Sequence, residues 1–124
     1  MKVINKDNIE EVMSFYHYFH DSTINDLKFN YKDNVLELFI DAYWSGNPIL
    51  KEDNSYETNK RLVKLVFKNI NKLNIDEQLN YNYIDDAYLK IIKIDNEDYI
   101  CFATDNNEPY IYIVAKHLEY DELV

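Results

Sequence analysis

The chain has 124 residues, 13 Lys and Arg against 23 Asp and Glu (formal net charge -10), 47% hydrophobic and 15% aromatic residues, one Gly and one Cys. That apolar content excludes intrinsic disorder, one Cys excludes a disulfide scaffold or a multi-cysteine zinc site, and one Gly excludes glycine-rich phosphate loops, which need two or three. The charge opposes binding to nucleic acid and to anionic membrane surfaces, because both are polyanions.

The length fits one domain spanning residues 1–124. Residues 1–11, MKVINKDNIEE, lack the apolar stretch of a signal peptide, and no apolar run reaches the length of a membrane span. With the lone Cys101, the expected compartment is the cytoplasm. Asn, Ile, Lys and Tyr are abundant while Arg occurs once, which points to an AT-rich bacterial genome.

A helix is predicted over Asn8 to Tyr18, with Asp7 or Asn8 as cap and Glu10 and Glu11 in the first turn, where the helix dipole favours negative charge. Ile9, Val12, Met13, Tyr16 and Phe19 have the spacing of one apolar face. From Thr23 to Tyr31 the pattern changes to period two, with Leu27, Phe29 and Tyr31 alternating with polar residues. Lys32-Asp33-Asn34 is a turn, and Val35 to Trp44 is a second strand with Leu36, Leu38, Ile40 and Ala42 on one face. The face shared by Val35, Glu37, Phe39, Asp41 and Tyr43 is mixed and expected to be partly wet.

Ser45 to Glu57 reads as a long polar loop, and its Ser45-Gly46-Asn47-Pro48, holding the only Gly, is the place where the backbone is expected to turn sharply. A strand follows over Arg61 to Ile70, then a loop or a short helix near Ile75 to Leu79. Strands at Ala87 to Ile94, Tyr99 to Ala103 and Tyr110 to His117 alternate with turns at Asp95-Asn96-Glu97-Asp98 and Asp105-Asn106-Asn107-Glu108. About six strands joined by short polar turns imply a mostly antiparallel sheet, since parallel pairs need long crossovers. The expected fold is α+β: an N-terminal helix packed on a curled antiparallel sheet, a meander or half-barrel.

Phe19-His20-Asp21-Ser22 is the most distinctive stretch. A Ser-His-Asp triad is disfavoured there, because adjacent residues do not converge and no nucleophile elbow is present. His17, His20 and Asp21 have the ligand types of a metal site, the alternative reading of a small metal-dependent hydrolase. The favoured reading is structural: His20, Asp21 and Ser22 tie helix to sheet through backbone groups. The carboxylate pairs Glu10/Glu11, Glu52/Asp53, Asp76/Glu77, Asp85/Asp86, Glu97/Asp98 and Asp121/Glu122 fall mainly in turns and termini and read as solvated. Cys101 reads as a buried small hydrophobe, with His117 as the only partner a nucleophile could have. Tyr81, Tyr83, Tyr88, Tyr99, Tyr110, Tyr112 and Tyr120 lack the basic neighbours a base-stacking platform requires. Tyr43 and Trp44, at the edge of the long loop, are the types favoured in protein interfaces, although Trp44 also suits the end of a core.

The succession of helix, Phe19-His20-Asp21-Ser22, strand and turn, then Val35-Leu36-Glu37-Leu38, resembles small uncharacterised bacterial domains that open with a helix and a His-Asp-Ser step before a β-meander. Leu65-Val66-Phe67-Lys68-Asn69-Ile70 and Tyr99-Ile100-Cys101-Phe102 fit the same layout. Several such domains look like immunity proteins of polymorphic toxin systems. The resemblance implies a non-enzymatic module that binds and blocks a protein partner, and it carries no catalytic residue, metal or cofactor. The expected partner is a protein, of basic charge if the acidic field steers it. The expected contacts are Tyr43, Trp44, Asn47, Glu52 and Asp53, and the expected state is a monomer or homodimer. The acidic residues are dispersed, eleven up to Leu62 and twelve after it, so no acidic tail mimics a nucleic-acid strand.

Overall fold

The computed structural model describes residues 1–76, 82–105 and 110–123. In chain order the elements are β1 (Lys2–Ile4), α1 (Ile9–Phe15), a single 3-10 turn (His17–Phe19), β2 (Ser22–Asn30), β3 (Val35–Ala42), β4 (Ile49–Leu50), β5 (Tyr56–Glu57), β6 (Arg61–Ile75), β7 (Tyr83–Ile84), β8 (Ala87–Ile94), β9 (Glu97–Thr104) and β10 (Ile111–Leu123). The main sheet has eight strands in the order β7-β2-β3-β6-β10-β9-β8, with β1 added beside β10, and β4 pairs β5 in a separate hairpin. Among the described residues every pairing is antiparallel. The sheet curls into a half-barrel, and with one short α-helix among the described residues the fold is mostly β rather than a balanced α+β architecture.

The strands form where alternation predicts them. Leu36, Leu38, Ile40 and Ala42 are fully buried along β3, while Val35, Glu37, Phe39 and Asp41 lie on the outer face. Across the ladder, Leu36 meets Phe67, Leu38 meets Leu65 and Ile40 meets Val63. Each such buried aliphatic side chain contributes about 1.5–3 kcal/mol of apolar transfer. Ile100, Phe102, Ile111, Ile113, Ala115 and Leu118 extend this core across β9 and β10. Helix positions Ile9, Val12, Met13 and Tyr16, with Phe19 just beyond, close it on the concave side. Irregular register between Ile24 and Asp26 in β2, and between Val114 and Ala115 in β10, bends the strands, as bulges do.

Several boundaries differ from the sequence reading, each for a physical reason. The sheet has eight strands instead of about six, because β1 and β7 are too short to show a period. The polar loop at 45–57 folds back on itself as the β4–β5 hairpin. The strand at 61–70 continues to Ile75, because a left-handed Asn69 and the bulge carry it past the polar residues. The last strand runs on to Leu123. The rest of the segment read as loop or short helix, residues 77–81, lies outside the described residues, as do Tyr81, Glu77 and the 106–108 part of the last predicted turn. Asn8 does not cap α1 with its side chain: its Oδ1 accepts from the Asn5 N–H and its Nδ2 donates to the Val3 carbonyl, both at 2.8 Å, tying the helix start to β1.

The sharp turns are also more numerous than one glycine suggested. Ten described non-glycine residues have positive φ, and seven of them are Asn or Asp, the types that tolerate left-handed backbone best. Asp95 and Asn96 (φ 51° and 67°) form the two-residue loop between β8 and β9, where the twist of a hairpin demands positive φ at both positions.

Candidate functional site

The helix does not simply run into β2. After Tyr16 the backbone reverses hand, and His17, Tyr18 and Phe19 adopt φ of 52°, 55° and 53°. Non-glycine residues in this region cost about 1–2 kcal/mol each, so surrounding contacts must hold them. The Gly46 N–H donates to the Phe15 carbonyl at 2.8 Å, and His17 Nε2 donates to the Gly46 carbonyl at 2.6 Å. Burial of Phe19 pins the far end of the turn. The result swings Tyr18 outward and places His20 and Asp21 (φ 60°) at the mouth of the half-barrel.

His20 Nδ1 lies 2.5 Å from the Asp85 carbonyl and 3.3 Å from Asp86 Oδ1, and its Nε2 lies 3.4 Å from Asp21 Oδ2. The Asp85 carbonyl above all, and then the two carboxylates, raise the His20 pKa above its ordinary value against the opposing effect of burial. Asp21 accepts a short hydrogen bond from the Tyr83 hydroxyl and a second, at 3.3 Å, from Trp44 Nε1. The Tyr83 bond chiefly lowers the Asp21 carboxyl below its ordinary range. Ser22 is buried; its Oγ accepts from the Tyr43 N–H at 3.0 Å and donates to the His20 carbonyl at 3.4 Å. His20, Asp21 and Ser22 thus contact Tyr43 just past β3, Tyr83 of β7 and the Asp85-Asp86 connector before β8, and Trp44 meets this junction through Asp21.

An open cleft of about 830 Å³ lies beside the turn, walled by Glu11, Phe15, Tyr18, His20, Asn47 and Asp86. Two large apolar side chains of its lining face outward, Phe15 at 45% and Tyr18 at 42% exposure, and the β4–β5 hairpin exposes three more, Ile49 at 61%, Leu50 at 58% and Tyr56 at 56%. Tyr43 and Trp44 are half-buried and stack edge to face at 5.2 Å. Of the sequence candidates, Asn47 lines the cleft, whereas Glu52 and Asp53 sit exposed in the β4–β5 hairpin loop. The Asp53 carboxylate accepts from both the N–H and hydroxyl of Ser55, which lowers its pKa.

His17, His20 and Asp21 are neighbours without forming a metal donor set. His17 Nε2 is committed to a carbonyl on one side of the turn and His20 Nδ1 to a carbonyl on the other. Among the described residues no group of three or more His, Cys, Asp or Glu is placed to hold a metal ion. Cys101 is buried opposite Val114, while the exposed His117 pairs with Lys68, so the register separates the thiol from the imidazole.

The outer sheet face corrects the reading of the tyrosines. Lys90 lies over Tyr88 at 4.8 Å, Lys72 over Tyr112 at 5.5 Å and Lys116 over Tyr99 at 4.8 Å. The rings do have basic neighbours. The Tyr88-Lys90 spacing of two residues was legible in the sequence, whereas the other two pairs depend on strand register. These lysines occupy the ring faces, so the tyrosines are covered by the protein's own side chains, and Cys101 and Val114 are buried on this same face of the sheet.

Among the described residues no helix is long and apolar enough to cross a membrane. No family model, curated protein or solved structure matches the chain.

Proposed function

We propose that this chain is a non-enzymatic protein-binding module, an immunity protein in the manner its helix and His-Asp-Ser step suggest, acting in the cytoplasm on a basic protein partner without a cofactor. The observation that carries this reading is the number of large apolar side chains turned outward, Phe15 and Tyr18 at the cleft and Ile49, Leu50 and Tyr56 on the β4–β5 hairpin that follows Asn47. Exposed apolar groups rimmed by polar residues mark interaction sites. The polar groups beside them are mainly acidic: Glu11 and Asp86 line the cleft, where among the described residues no Lys or Arg does, and Glu52, Asp53 and Glu57 outnumber Lys51 on the hairpin. Such acidic groups accelerate encounter with a basic partner, and the apolar side chains supply most of the affinity once water is excluded.

The test is co-expression with the product of the neighbouring reading frame, followed by calorimetry on the purified pair. The expected result is a one-to-one complex and protected cells. Leu50→Asp and Tyr56→Ala should each weaken binding at least about tenfold with an unchanged unfolding midpoint, as interface anchors do. No complex and no protection, or a complex indifferent to both substitutions, would overturn the proposal.

A further inference from the structure

The oxygens around His20 have a consistent chemistry. Nδ1 faces the Asp85 carbonyl and Asp86 Oδ1, and Nε2 faces Asp21 Oδ2. A carbonyl and ionised carboxylates only accept hydrogen bonds. A neutral imidazole has one N–H and one lone pair, so in either tautomer its lone pair would point at an acceptor. An imidazolium carries a proton on both nitrogens, so its Nδ1–H meets the Asp85 carbonyl while its charge pairs with Asp86 and Asp21 on either side. The pocket of oxygens is complementary to the charged ring.

The charged and titratable groups around the ring all act in this direction. Asp21 belongs to the step after the turn and is itself held by Tyr83 of β7 and by Trp44. Asp85 and Asp86 form the connector from β7 to β8. Glu11 of α1 lines the same cleft, and the His17 ring is turned to the Gly46 carbonyl. Among the described residues, the ion pairs of Asp21 and Asp86 are with His20, and no Lys or Arg lines the cleft.

The location gives the charge a mechanical role. β7 is fastened to β2 and β8 to β9, so the Asp85-Asp86 connector spans from one end of the sheet order to the other. Asp86 is anchored to β9 by its carbonyl, which accepts from the Asp105 N–H at 2.9 Å, and by its N–H, which donates to Asp105 Oδ1 at 3.2 Å. Those bonds do not involve the turn. We infer that His20 is a proton-operated clasp: as an imidazolium it fastens the left-handed turn to the β7–β8 connector and sets one wall of the cleft, and as a neutral ring, its one N–H kept on the Asp85 carbonyl, it loses its ion pairs with Asp86 and Asp21 and loosens that wall. The clasp stands on this geometry alone; that its release retunes partner binding rests on the protein-binding reading above.

Because the folded-state pKa is raised, the stabilisation is fully present below the ordinary histidine value of about 6.5 and is lost as pH rises through the higher folded value. The test is a histidine and amide NMR titration of the full chain from about pH 5 to 9. The expected result is a His20 ring midpoint above about 6.5, with the amide shifts of Tyr18 and Asp86 following that same midpoint. In His20→Gln the amide titration disappears. In Asp86→Asn, which alters only an exposed carboxylate, the fold is kept and the His20 midpoint moves down. A His20 midpoint at or below the ordinary value would overturn the clasp. So would Tyr18 and Asp86 amides that ignore the ring, or that titrate unchanged in His20→Gln. None of these readouts uses a partner, so failure of the binding proposal leaves them standing.

Discussion

Tyr83 and Asp21 are 62 positions apart in the chain, and the Tyr83 hydroxyl donates directly to Asp21 Oδ1. This bond joins the chain reversal after the helix to the short strand β7 at the end of the sheet. The same carboxylate takes the Trp44 indole N–H, and the Tyr83 carbonyl takes the Tyr110 hydroxyl at 2.7 Å. The mouth of the half-barrel is therefore laced by side chains where its backbone pairing is shortest, since β7 contributes only two residue pairs.

Tyr83→Phe removes that donor and leaves the ring in place. A hydrogen bond to a charged group contributes about 1.5–3 kcal/mol; since the Asp21 side chain is 35% exposed, we expect about 1 kcal/mol of lost stability, toward the value for an ordinary bond. The carboxyl pKa should rise toward its ordinary value. The depressed folded value means that Asp21 contributes stability above the unfolded carboxyl pKa and loses it as pH falls through the folded one. Urea midpoints between about pH 3 and 7 should fall less steeply on acidification in the variant than in the parent. Parallel acid limbs would refute the assignment.

Phe102 is fully buried, its ring 5.7 Å from that of Phe67. Phe102→Ala should cost about 3–5 kcal/mol, a large share of the roughly 5–15 kcal/mol typical of a folded domain. Tyr31, beyond the end of β2 and 87% exposed, is the control: Tyr31→Ala should stay within about 0.5 kcal/mol. Denaturant unfolding followed by tyrosine fluorescence separates the two.

These contrasts indicate what a sequence makes legible. Leu36, Leu38 and Ile40 announce a buried strand face because side-chain direction has a fixed period of two. Ile9, Val12, Met13 and Tyr16 announce the helix stripe for the same kind of reason. Phe19 fits that stripe as well, which is why the spacing carries the helix too far: a buried Phe at that position satisfies both a continuing helix and a left-handed turn, and no glycine marks the change of hand. The cleft was not legible at all. Phe15, Asn47 and Asp86 meet only because the half-barrel curls, and the contact of Tyr83 with Asp21 depends on a strand of two residues.

Cys101 is 1% exposed, on β9 opposite the buried Val114. Its thiol should therefore react with iodoacetamide only when the chain opens. Labelling of the native protein should be at least about 10³-fold slower than in denaturant, following the population of open states. Rapid native labelling that slows in His117→Ala would revive the nucleophile reading and contradict the register that separates the two residues.

Tyr18 offers the sharpest test of the chain reversal. In the interior of a right-handed helix, Ala is more stable than Gly by about 1 kcal/mol, because glycine loses more conformational freedom on folding. At φ 55° the order inverts, since a Cβ in left-handed backbone costs about 1–2 kcal/mol and glycine does not carry it. Tyr18→Gly and Tyr18→Ala both delete the ring and its 3.1 Å hydrogen bond to Glu10, so their difference isolates the backbone. We expect the glycine variant to be the more stable by about 1 kcal/mol, read from urea unfolding of the two proteins side by side. An alanine variant equal to or more stable than the glycine one would mean that Tyr18 is not left-handed in solution and that the helix runs on to Tyr18, as its spacing predicts.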